Sequence, residues 1–148
     1  MPAQSLVIRI CNWDEARVEA HRIREQVFVH EQGVPPELEM DGQDAHCDHA
    51  LAFATDGAAI GTGRLLPDGH IGRMAVLQEW RGQGVGALLL QALVEHARRR
   101  GDAKVRLNAQ SAAAAFYRRY GFAVSGPEFM EAGIPHVPMQ RDLNCARG

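Results

Sequence analysis

The stretch from His70 to Gly101 constrains the fold more than any other part of this 148-residue chain. Ile71-Gly72-Arg73-Met74-Ala75-Val76 reads as an extended apolar run, Leu77-Gln78-Glu79-Trp80 leads out of it, and Arg81-Gly82-Gln83-Gly84-Val85-Gly86-Ala87 is a glycine-rich turn. A helix follows. Val85, Leu88, Leu89, Ala92, Leu93 and Ala97 fall on one helical face, Arg98, Arg99 and Arg100 complement the C-terminal dipole, and Gly101 closes the element. Strand, glycine turn and helix in that order make a seat for phosphate. Glycine has no Cβ to hold a ligand off, so several backbone N–H groups can converge on one anion. The helix start adds unpaired donors and about half a positive charge. Arg81, at the mouth, can grip a further phosphate oxygen with its planar fork.

Around this unit the pattern is that of an α+β fold of three-layer type. Residues 6–10 predict a first strand. Asn12 is placed to cap a helix with Asp14 and Glu15 in its first turn and an apolar stripe of Val18, Ile23, Val27 and Phe28. Pro35-Pro36 argues against helix beyond that point, and residues 37–48 read as an acidic, polar loop. Residues 49–55 and 58–66 form a hairpin about Asp56-Gly57, and Pro67-Asp68-Gly69 turns into the strand at residues 71–76. Residues 104–109 give a strand with Val105, Leu107 and Ala109 on one face. Ser111 is placed to cap a helix over 112–120, and residues 122–124 and 136–143 supply two closing strands. The expected sheet is mixed and mostly antiparallel, flanked by helices, with residues 71–109 as a central strand–loop–helix–strand unit, parallel or nearly so.

Length and composition fit one domain covering residues 1–148. A net charge of −2 gives no electrostatic reason to expect nucleic acid as a partner. Cys11, Cys47 and Cys145 are widely spaced and odd in number, which suits free thiols in a reducing compartment. With no signal-like segment and no apolar stretch of membrane-spanning length, a cytoplasmic protein without membrane attachment is expected.

Three ligands compete for the glycine turn. A nucleoside-triphosphate loop needs a Gly-Lys-Ser/Thr ending, and Gly86-Ala87-Leu88 offers neither the lysine nor the hydroxyl. A dinucleotide fold is formally matched by Gly82-x-Gly84-x-x-Ala87. However, the next strand ends at Asn108-Ala109-Gln110 without the acid that binds a ribose hydroxyl, and too few strands follow for a doubly wound sheet. The third ligand is the pyrophosphate of coenzyme A.

Arg81-x-x-Gly84-x-Gly86 resembles the Arg/Gln-x-x-Gly-x-Gly/Ala signature of the GNAT superfamily of N-acetyltransferases. The segments 71–76, 107–110 and 115–122 stand around it in the expected order. Residues 27–35, 39–41 and 132–136 further resemble the small bacterial ElaA-like branch, so nearly the whole chain is covered. The resemblance implies transfer of an acetyl group from acetyl-CoA to a primary amine of a small molecule or peptide by direct attack in a ternary complex. It implies no metal, and superfamily members are often homodimers. Carried over, the coenzyme is held by Met74, Ala75 and Val76 on the strand, by Arg81, Gly82, Gln83, Gly84, Val85, Gly86 and Ala87 in the turn, and by Asn108 opposite. Main-chain groups of Met74 and Val76 would meet the pantetheine arm and the thioester oxygen, where an N–H stabilises the oxyanion by about 3 kcal/mol in measured cases. Tyr117 matches the general acid that protonates the departing thiolate, a role suited to a phenol that stays protonated at neutral pH. Its alternative role is packing, although Phe116 and Tyr120, four residues apart, form the better core pair.

A base is needed as well, because free amines are protonated near neutrality. Glu31, Glu39, Asp41, Glu79, Glu128, Glu131 and His136 are candidates, each also readable as a solvated charge. Arg73 either fixes a substrate carboxylate or pairs with an acidic neighbour. Two further patterns mimic metal sites. Glu37-x-Glu39-x-Asp41-Gly42 with Asp48 imitates a calcium loop with the wrong ligands and no entering helix. Asp44, His46, Cys47 and His49 imitate half a zinc site, with His49 starting a strand and its neighbours facing solvent. The carboxylates of residues 37–48 point faintly to a cationic acceptor. A non-catalytic acyl-CoA-binding module of the same fold is the alternative of a different class.

Overall fold

The computed structural model describes residues 6–143; Cys145 lies outside them. Strand β1 (Val7–Cys11) leads into helix α1 (Trp13–Arg24), continued by a π-helical stretch over Glu25–Glu31. Asn12 closes a reciprocal cap with Glu15: each side chain accepts from the other's backbone N–H, at 2.9 and 3.0 Å. Of the expected stripe, Ile23 and Val27 are buried and Phe28 packs against them, but Val18 is 72% exposed and Ala16, Ala20 and Arg24 complete the buried face of α1. Small residues let α1 lie close on the sheet, so the face is set by alanines that a search for large apolar residues passes over.

The second expectation to change is at Pro35-Pro36. Pro36 opens a short helix, α2 (Pro36–Glu39), because proline at the first helical position gives up an N–H that would be unpaired anyway. The acidic stretch behind it is mostly exposed, as a polar loop should be, but three of its side chains, Glu39, Asp44 and Cys47, turn inward. Glu39 and Asp44 are buried, and with Asp41 they surround Arg24 and Arg64.

Strands β2 (Asp48–Phe53), β3 (Ala59–Leu65) and β4 (Ile71–Val76) join β1 in an antiparallel sheet of order β1-β2-β3-β4. Helix α3 (Val85–Arg100) packs on it through Val85, Leu89, Leu90, Leu93, Val94 and Ala97, while Leu88 turns out to be 39% exposed. The close packing explains Gly61, where a Cβ would stand 2.9 Å from Leu89 Cδ1 and 3.3 Å from the Ala75 carbonyl. Strand β5 (Lys104–Gln110) buries Val105, Leu107 and Ala109 as its alternation predicts. Ser111 does not cap the next helix. A 3₁₀ turn over Ser111–Ala113 precedes α4 (Ala114–Arg119), and the Ser111 hydroxyl instead donates to Glu128 at 2.7 Å. The chain closes with β6 (Ala123–Val124), β7 (Phe129–Glu131) and the long β8 (Ile134–Asp142), which pairs antiparallel with β5, β6 and β7.

The molecule therefore has two sheets, β1-β2-β3-β4 and β5-β8-β6 with β7 on β8. The parallel pairing expected between β4 and β5 shrinks to a single bridge, His70 opposite Arg106, beside a bond from Arg106 N–H to the Gly69 carbonyl at 3.0 Å. Beyond that joint the two strands diverge. No helix among the described residues is long and apolar enough to cross a membrane.

Candidate active site

The divergence of β4 from β5 begins at a bulge. Thr62 faces Ala75 and Arg64 faces Gly72, so Gly63 stands against both Arg73 and Met74. A bulge bends its strand and increases the local twist. Arg73 carries the irregularity at φ +50°, a left-handed conformation costing about 1–2 kcal/mol for a residue with a side chain. Its guanidinium is pinned in return. Nε donates to the Glu39 carbonyl at 3.2 Å, and Nη2 reaches the Leu38 and Glu39 carbonyls and Asp41.

Past the bulge, the Leu77 N–H bonds the Ile60 carbonyl at 3.0 Å, so Val76 opposite Gly61 occupies a non-hydrogen-bonded pair. Its main-chain groups turn away from β3 toward the open side. The carbonyl is already engaged, accepting from Arg81 Nε at 2.9 Å, which leaves the N–H as the free group. Arg81 also makes a two-pronged bond to Glu31, at 2.8 and 3.0 Å. The guanidinium expected to be free for phosphate is thus held between the strand end and the π-helical segment.

Gly82 and Gly84 adopt φ of +77° and +84°, which residues with side chains rarely adopt. Gly84 is the residue from which α3 starts, and no side chain caps the helix. Its ladder begins with Leu88 N–H to the Gly84 carbonyl at 3.1 Å, so the N–H groups of Val85, Gly86 and Ala87 lie ahead of any intrahelical acceptor. Gly86 lies against both Val76 and Phe116, since a Cβ there would come within 4.0 Å of each. The turn therefore abuts the end of β4 and the helix bearing Tyr117. An anion at this point would meet N–H donors and the positive end of a four-turn helix.

A cleft of about 510 Å³ opens between the sheets. Met74, Asn108 and Tyr117 line it, while Val76 and residues 81–87 do not. Of the residues expected to hold the donor, Met74 and Asn108 reach the cleft with the expected acid Tyr117, while Ala75 is buried away from it and the turn stands beside it. Phe28, Val34 and Leu38 form one wall, and Ile134 and His136 another. Tyr117 packs edge-on against Phe116 at 5.1 Å and near Phe122 at 6.1 Å. Burial pushes its phenol pKa above the ordinary value. Phe116 and Tyr120 also pair, at 5.2 Å, as their spacing predicts.

The carboxylates near the cleft are mostly committed. Arg24, only 1% exposed, bonds Glu39 at 2.5 Å and Asp44 at 2.8 and 3.1 Å. Arg64 bonds Asp44 at 2.9 Å and Asp41 at 3.0 and 2.5 Å. Three arginines, counting Arg73, thus balance three acids, and Arg73 serves this cluster rather than standing free. Burial alone would raise the Asp41 and Asp44 pKa values. Hydrogen bonds and charge from Arg64 at Asp41, and from Arg24 and then Arg64 at Asp44, outweigh it and hold both below the ordinary carboxylate value. The zinc-like pattern dissolves in the same cluster. His49 is buried, bonds the Asp44 carbonyl through Nε2 at 2.9 Å and lies 4.8 Å from the Trp13 ring, and Cys47 Sγ contacts the Gln43 carbonyl at 3.2 Å. Cys47 is buried rather than solvent-facing, and burial raises its thiol pKa to about 11. No group of three or more His, Cys, Asp or Glu among the described residues is placed to hold a metal ion.

One cleft feature has no sequence signature. The Gln110 amide on β5 donates to Gln32 across 3.0 Å, tying the end of the first helical segment to the opposite sheet. The partners are 78 residues apart, beyond the reach of local periodicity.

A family model described as an acetyltransferase (GNAT) domain matches residues 14–143. An uncharacterized N-acetyltransferase of Bacillus subtilis, YjcF, is 39% identical over 134 residues, covering 87% of this chain and 94% of its own. Among solved structures, an acyl-CoA N-acyltransferase from Pseudomonas aeruginosa superposes with a TM-score of 0.82 at 32% identity, covering 93% of this chain and 99% of its own. Escherichia coli ElaA superposes with a TM-score of 0.81 at 28% identity, covering 93% of this chain and all of its own (100%).

Proposed function

The chain belongs to the GNAT acetyltransferases, and from that premise we propose that it transfers an acetyl group from acetyl-CoA to a primary amine of a small molecule or peptide. The transfer runs by direct attack in a ternary complex, on a single cytoplasmic domain. The observation that carries this reading is the splay between β4 and β5 beyond His70 and Arg106, with an uncapped glycine-rich helix start at one end and Tyr117 lining the opening.

Each group has a stated task. N–H groups of Gly82 through Ala87 hold the pyrophosphate with Arg81, whose guanidinium exchanges Glu31 for phosphate oxygen. Met74, Ala75 and Val76 guide the pantetheine arm from one side and Asn108 from the other. The free N–H of Val76 polarises the thioester carbonyl and stabilises the charge that develops on its oxygen. Tyr117 gives its proton to the departing thiolate; its raised pKa keeps that proton in place.

Steady release of coenzyme A thiol from acetyl-CoA in the presence of a panel of primary amines tests the reading. Amine-dependent release supports it. Tight acetyl-CoA binding with no release for any amine would leave a binding module instead.

A further inference from the structure

We propose that His136 is the base that accepts the proton of the acceptor amine. The inference rests on the acyl-transfer reading above and adds the group that reading lacks.

His136 sits on β8 between two ladders, opposite Gln110 of β5 on one side and Phe129 of β7 on the other, so its backbone is fixed from both directions. Its ring stacks on Phe129 with centroids 5.8 Å apart and planes 23° from parallel. Nδ1 lies 2.7 Å from the Ile134 carbonyl. A carbonyl can only accept, so Nδ1 carries the hydrogen and the neutral ring presents the Nε2 lone pair. His136 is 9% exposed and lines the cleft, and Nε2 has no hydrogen-bond partner among the described residues. Nε2 keeps some exposed surface, and His136 is among the residues lining the cleft. An oriented lone pair, held by stacking and by a second-side hydrogen bond, is the arrangement a general base requires.

The other candidates are otherwise occupied. Glu39 and Asp41 are bound by arginines, and Glu31, which Arg81 releases when it turns to phosphate, is absent from the cleft wall. Glu128 takes the Ser111 hydroxyl, and Glu79 is exposed and absent from the cleft wall. Glu131 does line the cleft but is exposed, without a hydrogen bond to orient it among the described residues.

The protons balance. An incoming ammonium gives one proton to Nε2, and the freed amine forms the N–C bond as the carbonyl pair moves onto oxygen. On collapse the C–S bond breaks and the thiolate takes the Tyr117 proton. The surplus proton on the new amide nitrogen restores the tyrosine, and His136 releases its own to solvent. Ammonium and thioester become amide, thiol and one proton.

The test compares His136→Gln with the unsubstituted protein on two primary amines of different basicity: phenethylamine, which is protonated near neutral pH, and trifluoroethylamine, which is largely neutral there. Loss of the base should cut kcat for phenethylamine about a hundredfold or more. Trifluoroethylamine should lose less than about tenfold, and KM for acetyl-CoA should hold. Equal losses for both amines would overturn the assignment, since a structural role ignores amine basicity. Should the unsubstituted protein acetylate neither probe, the acceptor class fails, and the base is judged separately by nitrogen-15 NMR of the His136 ring. A proton on Nδ1 with bare Nε2 supports it; the opposite tautomer overturns it.

Discussion

His70 and Arg106 form the single parallel bridge between the two sheets among the described residues. The joint holds β4 and β5 together at their first residues. Beyond it, the bulge at Arg73 and Met74 carries β4 away, and the Val76 main chain faces open space instead of a neighbouring strand.

Gly69 is the residue that lets the joint close. Its φ is +94°, and a Cβ there would stand 2.8 Å from the Lys104 carbonyl on the facing chain. Left-handed strain and the backbone clash together should make Gly69→Ala less stable by about 2–4 kcal/mol in denaturant unfolding. A change within experimental error would mean that the joint tolerates displacement.

Tyr117→Phe removes the proposed proton donor and keeps the ring contacts with Phe116 and Phe122. Turnover at saturating substrate should fall about a hundredfold, with acetyl-CoA binding unchanged by calorimetry. Because burial raises the phenol pKa, the unsubstituted enzyme should lose this donor only above the ordinary tyrosine range. Full turnover by the phenylalanine variant would return Tyr117 to a packing role.

Arg24 neutralises two buried carboxylates at once, Glu39 and Asp44. Arg24→Ala leaves Asp44 with Arg64 alone and Glu39 with Arg73 alone, and should cost about 3–5 kcal/mol, read as a lowered denaturation midpoint. A loss under about 1 kcal/mol would show that the cluster is hydrated rather than dry.

The same cluster sets the acid response. Asp41 and Asp44 have folded-state pKa values below their unfolded ones, so the unfolded chain takes up protons first as pH falls. Their contribution is fully present above the unfolded carboxylate value, about 4, and is lost as pH drops from there toward the folded values. Thermal unfolding should show the melting temperature declining in that window, and Asp41→Asn should flatten the decline. An unchanged slope in that variant would remove Asp41 from the account.

Glu31 holds the guanidinium that the proposed function assigns to phosphate. Arg81→Ala should weaken acetyl-CoA binding about tenfold, as expected for loss of a charge-assisted hydrogen bond, whereas Glu31→Gln should leave it equal or tighter. Weaker binding in Glu31→Gln would mean that the pair positions Arg81 rather than occupying it.

The parts of this structure legible in the sequence are those governed by neighbours along the chain. The reciprocal Asn12 and Glu15 cap, the inward alternation of Val105, Leu107 and Ala109, and the turns at Gly57 and Gly69 all rest on local periodicity or backbone freedom, and so does the start of α3 at the glycine turn. What was not legible is set by partners distant in sequence. Glu39 lies 15 residues from Arg24, and Asp41 lies 23 from Arg64, so an acidic run that looks solvated becomes a buried ion cluster only when the hairpin folds beneath it. Val18 faces solvent because alanines define the close-packed face of α1. His136 stood among seven candidate bases until the Ile134 carbonyl distinguished its two nitrogens.

The central claim is that the opening between β4 and β5 seats coenzyme A, and a crystal structure of the chain with acetyl-CoA tests it most directly. The account expects the pyrophosphate on the N–H groups of residues 82–87, the pantetheine arm between Met74 and Asn108, and the thioester sulfur within hydrogen-bonding reach of the Tyr117 hydroxyl. Pyrophosphate bound away from the glycine turn, or an arm that bypasses the opening between the two strands, would contradict it.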